Sequence, residues 1–249
     1  MPAVDALFVG NAIMDVFGSC DDTFLTTHEI EKGSMTLVDE ARALTLYNAM
    51  SGAQEQSGGS AANSAFGFAM LGGSAAFSGK LADDEVGNSF VANLRSGNVQ
   101  FTGTIAADGP ASARSMIFVT PDAQRSMNTY LGASLTMTDA SIQDDITAKF
   151  IYLEGYLFDA PDGPAIFAKA AQLALETRAA LSLTLSDSWC VERHKDALST
   201  FIRDHVSILF SNQDEIQALL GTDDDDTIAS FAREIDELIV TKGAAGADI

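Results

Sequence analysis

The sequence predicts an α/β fold, with a mostly parallel central sheet covered on both faces by helices and a small β-sheet set beside it. Apolar, β-prone runs alternate with helical patterns from end to end, and no internal repeat interrupts them. The chain has 249 residues, 47% hydrophobic and 20% charged, enough to bury a sizeable core. Strands separated by helices of this length form βαβ units, and such units pair their strands in parallel.

Residues 4–10 (VDALFVG) read as a buried strand that runs into a loop at Asn11. Residues 39–50 are helical in period, and 60–71 follow as a helix of small residues. A short strand at 74–79 leads to an amphipathic helix at 85–95. Further strands are expected at 150–153, 181–185, 207–210 and 238–241, separated by helices at about 164–178, 192–203, 213–220 and 227–237. Two regions break the alternation. Residues 23–38 and 100–130 carry β-like patches (35–38, 114–120 and 125–129) joined by Gly, Pro and Asp turns, with no helix between them. They are expected to form a small antiparallel sheet, a lid supplied by residues 17–38 and 100–132 of a single domain spanning 1–249. The acidic run 223–226 suits a solvated loop leading into a helix, whose amino end favours carboxylates.

Charge narrows the function. Against 35 Asp and Glu stand 14 Lys and Arg, for a formal charge of −21. Such a surface repels phosphate backbones and anionic lipid, so neither nucleic acid nor membrane is an expected partner. Residues 56–79 lack a charge, but six glycines and five serines make them too polar for a membrane helix. Cys20 and Cys190 form no C-x-x-C pair and no basic-then-apolar segment opens the chain, which reads as a reduced, cytoplasmic protein.

Familiar catalytic motifs fail. Gly73 and Gly79-Lys80 imitate a P-loop, but Leu81 stands where Ser or Thr would hold magnesium. No G-x-G-x-x-G occurs, which removes a dinucleotide oxidoreductase, and His28, His194 and His205 are scattered without zinc spacing. More informative is Ser57-Gly58-Gly59-Ser60-Ala61-Ala62-Asn63. Its glycines allow close backbone approach to a ligand, Ser60 fits a helix N-cap, and Asn63 lies one turn on. A glycine turn before a tightly packed helix accounts for the segment equally well. After the first strand, Asn11 and Asp15 sit four apart on a loop or helical turn, where they could meet the hydroxyls of a sugar; an Asx-type turn is the plainer reading.

Taken together, these segments resemble the ribokinase-like (PfkB) carbohydrate and nucleoside kinases, on the adenosine-kinase side, over essentially the whole chain. Asn11 and Asp15 in GNAIMD, and Gly58, Gly59 and Asn63 in GGSAAN, match the family's substrate ligands. Residues 79–87 (GKLADDEVG) continue its first signature. Residues 120–134 (TPDAQRSMNTYLGAS) look like its lid return, with Arg125 near the transferred phosphate. Asn212 and Glu215 match its N-x-x-E motif, which meets magnesium and phosphate through water, though a capping box has the same spacing. Thr241, Gly243 and Gly246 in TKGAAG match the turn that meets the nucleotide. The resemblance implies a three-layer α/β/α fold with a β-sheet lid, ATP and Mg²⁺ as reactants, a sugar or nucleoside as acceptor, and an option of a homodimer through the lid.

The family's second signature, G-A-G-D, supplies the base toward the acceptor hydroxyl, and no G-A-G-D occurs in these 249 residues. Asp248 follows a look-alike, GAAGA, that fits the earlier nucleotide turn. The expectation is a kinase chain lacking the C-terminal part of the family pattern, inactive by itself. The alternative is a non-catalytic, sugar- or nucleoside-binding relic of the same fold.

Overall fold

A computed structural model of the chain describes residues 3–249. Its first half holds β1 (Ala3–Val9), β2 (Ile13–Ser19), α1 (Asp22–Thr27), β3 (Met35–Leu37), α2 (Glu40–Ala49), β4 (Gln54–Gly58), α3 (Ser60–Met70), β5 (Ala75–Ser78), β6 (Lys80–Ala82), α4 (Glu85–Ser96), β7 (Val99–Phe101), β8 (Thr104–Ala106), β9 (Ala113–Val119) and β10 (Arg125–Tyr130). Then come β11 (Thr147–Glu154), α5 (Gly163–Thr177), β12 (Ala180–Thr184), α6 (Ser188–His205), β13 (Ile208–Asn212), α7 (Gln213–Leu220), α8 (Asp225–Ala232), β14 (Glu237–Thr241) and β15 (Ala247–Asp248).

Eight strands make the central sheet in the order β15-β14-β13-β12-β11-β1-β5-β7, all parallel except the β14–β15 pair. Alternation along β1 turns Leu7 and Val9 toward one layer and Ala6 and Phe8 toward the other. On the first face α5, α6 and α7 bury Ile166, Phe167, Leu198, Ile202 and Ile216 against the sheet. On the second, α3 and α4 bury Ala61, Ala65, Phe90 and Leu94. The three-layer α/β/α arrangement follows from these two apolar faces. Beside β1 on the second face, Phe150 is 39% exposed and Phe210 and Ile239 are half-buried. Four of the aspartates serve as caps: Asp39, Asp84, Asp187 and Asp224 each accept a hydrogen bond from a first-turn amide of the helix they precede. Among the described residues no helix is long and apolar enough to cross a membrane.

The small sheet runs β3-β10-β9-β2-β4 and is mixed, not antiparallel as expected: β3–β10 and β2–β9 pair in parallel, β9–β10 and β2–β4 antiparallel. It differs from the expected lid segments, 17–38 and 100–132, in three ways. First, β2 opens it at Ile13, where Asp15 and Gly18 interrupt the apolar pattern. Second, β4 (QEQSG) joins it as a polar edge strand with no hydrophobic alternation to betray it. Third, β7 belongs to the central sheet and β8 pairs with β6. A helix does fall within 23–38. α1 is six residues long, too short for a periodic signal, and is held by the Asp21 cap and the packing of Leu25 and Phe24 near Phe118. α2 and α1 cover one face of this sheet through Ala43, Leu46, Met116 and Phe118. The other face is open in that no hydrophobic cluster among the described residues packs on it; its middle residues Ser115, Ile117 and Thr129 are 5%, 4% and 7% exposed, and Met35 and Leu37 at its edge 40% and 59%. The helix expected at 227–237 ends at Ala232, leaving residues 233–236 as a turn into β14.

Candidate active site

The carboxyl ends of β1 and β11 meet the amino end of α3. After Val9 the chain passes Gly10 and buried Asn11, and β2 then carries it into the small sheet. Asp15 therefore lies in a strand and not on a loop or helical turn. The alternation of β2 places Ile13, Asp15 and Phe17 on the open face and Met14 and Val16 on the packed one.

Two glycines shape the site. A Cβ on Gly58 would fall 2.1 Å from Asp15 Cγ, so only glycine lets that carboxylate lie over β4. Gly59 has φ of +88°, and a Cβ there would stand 2.5 Å from the Asn11 carbonyl oxygen. Gly59, not Ser60, occupies the N-cap of α3, and no side chain of its own caps it. The capping oxygen comes from β11 instead: the Ala61 amide donates to Glu154 Oε2 at 2.9 Å. Glu154 Oε1 accepts from the Asn11 amide at 2.7 Å and from Asn11 Nδ2 at 2.8 Å. Glu154 is 1% exposed. Burial raises its pKa, and the three N–H donors pull it back down. It belongs to no motif; the one sequence signal for it is a lone acid closing an apolar strand before Gly155.

Asp15 is half-buried and, among the described residues, accepts no hydrogen bond. Burial alone pushes its pKa up to about 6. Asn63, in the first turn of α3, exposes its side chain. Asn11, Asp15, Gly58 and Gly59 are thus brought together, with Asn63 on the helix that opens beside them.

Register extends the open face outward from Asp15. Asp15 pairs with Ser115, Ser115 with Thr129 and Thr129 with Leu37. The next row on the same face is Phe17, Ile117, Met127 and Met35, an apolar band across four strands. Arg125 shares this face, but it pairs with Val119, opposite Ser19, at the far end of the small-sheet strands. It is exposed and stands four register positions beyond the Asp15 row.

The other predicted residues lie further along the same carboxyl edge. Asn212 ends β13 and pairs with Thr241 at the end of β14, three and four strands from β1, or ~14 and ~19 Å away. Asn212 and Glu215 form a complete capping box for α7. Glu215 N–H donates to Asn212 Oδ1 at 2.8 Å, and both Glu215 oxygens accept from Asn212, at 3.0 and 2.6 Å. Glu215 is 6% exposed, and burial raises its pKa. With both oxygens committed, Glu215 does not fit a direct magnesium ligand. Among the described residues no group of three or more His, Cys, Asp or Glu side chains could hold a metal ion. Gly243 and Gly246 have φ of +55° and +94° in an exposed turn, closed by a Lys242–Asp248 ion pair.

Residues 35–249 match the sequence pattern of the pfkB family carbohydrate kinases. Adenosine kinase from Sinorhizobium meliloti is 41% identical and superposes with a TM-score of 0.87, over 98% of this chain and 76% of that one. A probable sugar kinase protein from Rhizobium etli CFN 42 is 40% identical with a TM-score of 0.89, over 98% and 75%. Fructokinase-1 of Oryza sativa subsp. japonica is 30% identical over 200 residues, 76% of this chain. The match spans 62% of that fructokinase's length.

Proposed function

The chain belongs to the pfkB family of carbohydrate kinases, and from that premise we propose that it carries the acceptor site of an ATP-dependent kinase acting on the hydroxymethyl group of a nucleoside. The observation that supports this reading best is the unpartnered, half-buried Asp15 carboxylate at the foot of an apolar band. An acceptor-only group with no donor of its own suits the hydroxyls of a ribose, and Asn11 beside it adds an amide. The band Phe17, Ile117, Met127 and Met35 suits a flat heterocycle on the same ribose. A free hexose, polar on every side, would leave it wet. At about 25 cal/mol per Å², covering roughly 100 Å² of base here is worth about 2–3 kcal/mol, or ~50-fold in affinity.

In this reading Asn11, Asp15, Gly58, Gly59 and Asn63 hold the sugar so that its hydroxymethyl group faces the carboxyl edge toward Asn212, Thr241, Gly243 and Gly246, where ATP would lie. Arg125 would reach the transferring phosphate only if the lid strands close over the body. Magnesium, arriving with the nucleotide and meeting Glu215 through water at most, supplies neutralisation of phosphate charge. No group in residues 1–249 matches the aspartate base that the resemblance implies. These residues by themselves are therefore expected to bind acceptor without transferring phosphate to it.

Calorimetry with adenosine, ribose and fructose, with and without ATP and Mg²⁺, tests this. Adenosine is expected to bind at least ~10-fold more tightly than ribose or fructose. Equal or tighter fructose binding overturns the nucleoside reading, and no binding at all overturns the acceptor site. Adenosine binding that survives where ATP never binds favours the binding-only relic. Adenosine-dependent ATP hydrolysis by residues 1–249 overturns the expectation of inactivity.

A further inference from the structure

We propose that Glu154 is the positioning residue of the acceptor site: from the end of β11 it holds the Asn11 side-chain amide and the first turn of α3 in one frame, with Asn11 Oδ1 turned to the ligand. This rests on the acceptor-site reading above and adds to it a residue that no motif marks. A side-chain amide has two faces of similar shape, one donating and one accepting, and its orientation follows its partners. Glu154 has only donors around it: the Asn11 N–H, Asn11 Nδ2 and the Ala61 N–H. With two backbone N–H groups aimed at its oxygens, the carboxyl is used as an acceptor, so the Asn11 nitrogen faces it and the Asn11 oxygen faces away. The same carboxylate sits at the amino end of the 11-residue helix α3 and receives one of its orphan amides. Through that contact the Gly58-Gly59 turn, whose shape decides where Asp15 lies, is tied to Asn11. Two ligand-bearing segments remote in sequence are thus set by one side chain from a third, at 1% exposure and without its touching the ligand.

Glutamine at position 154 keeps the size but offers the Asn11 amide both a donor and an acceptor, so the amide loses its fixed orientation. The test is a double-mutant cycle read by adenosine calorimetry, with thermal unfolding of each variant as a check on folding. Glu154→Gln is expected to weaken adenosine binding ~10–30-fold and Asn11→Ala ~30–100-fold. The double variant is expected to lose clearly less than the product of the two single losses, because the part of the Glu154 effect that runs through the Asn11 amide is already gone and only the part through α3 remains. A purely structural Glu154 would give losses that multiply. If Glu154→Gln does not fold, Glu154→Asp, which keeps the charge and shortens the reach, carries the same cycle with a smaller loss. Wild-type binding that persists within twofold in the position-154 variant, or losses that multiply, overturns this inference alone. Absence of adenosine binding by the wild type overturns the functional reading, and this inference with it.

Discussion

Two stretches of the same carboxyl edge are built on opposite plans. At β1 and β11 the polar contacts are buried and long-range: Asn11 and Ala61 reach Glu154 across 143 and 93 residues of sequence. At β13 and β14 they are shorter in range and nearer the surface. Asn212 and Glu215 are three residues apart, the Thr241 hydroxyl bonds the Ser211 carbonyl on the adjacent strand, 30 residues away, at 3.3 Å, and the glycine turn is exposed. Contacts that join distant segments exist only when the whole fold is formed, and they hold side chains in place before any ligand arrives. Local caps serve the helix they belong to. On the function proposed above, the difference separates a preorganised acceptor side from a nucleotide side whose residues are placed by their strands without long-range polar contacts.

The sharpest way to break that contrast is at Gly58. With Ala there, the Cβ would stand 2.1 Å from Asp15 Cγ, so the carboxylate must leave its place. Gly58→Ala is expected to weaken adenosine binding by ~100-fold, measured by calorimetry. A loss below about fivefold would mean that Asp15 is not held where the ligand needs it.

Asp15 itself comes next, and its sign can be worked out. Burial pushes its pKa in the folded chain up to about 6, against an ordinary value of 3.8. Between those values the folded state keeps a proton that the unfolded state has lost, so stability falls as pH rises through the window and stays lower above it. Asp15→Asn removes that penalty. It is expected to be about 2 kcal/mol more stable than wild type at pH 7 and no more stable at pH 4, by urea unfolding at the two pH values. Ligand binding runs the other way. Hydroxyls donate best to the ionised carboxylate, so wild-type adenosine affinity is expected to fall below about pH 6, approaching tenfold per pH unit. In Asp15→Asn the affinity is ~30-fold weaker at pH 7.5 and flat with pH. A stability gain with unchanged affinity would detach Asp15 from the ligand.

How far these two regions are legible in the sequence follows from the same contrast. The βαβ skeleton reads well because its strands are continuous apolar runs and four of its helices, α4, α6, α7 and α8, carry their own caps; α7 matches its expected bounds, 213–220. The small sheet reads poorly because its edge strand β4 is polar throughout and β2 is broken by Asp15 and Gly18, so no alternation marks them. Asn11, Asp15, Gly58 and Gly59 surface as a motif since their chemistry is unusual and closely spaced. Glu154 does not, because its role is defined by partners 143 and 93 residues away. Ser60 reads as a cap for the same reason: local sequence cannot reveal that a carboxylate from β11 already holds the helix amide.

The smallest expected effect is the one that most refines the comparison. Asn212→Ala removes both the oxygen that accepts from Glu215 N and the amide that donates to Glu215 Oε1 at 2.6 Å. Losing an N-cap of this kind costs about 1–2 kcal/mol, or about 3–6 °C in Tm for a chain of this size. Because Asn212 stands three strands from β1 and shares no partner with Asn11 or Glu154, adenosine affinity is expected to stay within twofold. Thermal unfolding and calorimetry on the same samples give both readings. A Tm drop with unchanged adenosine affinity keeps the two halves of the edge independent in the free chain. A matching loss of adenosine affinity would mean that the sheet transmits strain from α7 to the acceptor side, and the acceptor site could then no longer be treated as preorganised by its own contacts alone.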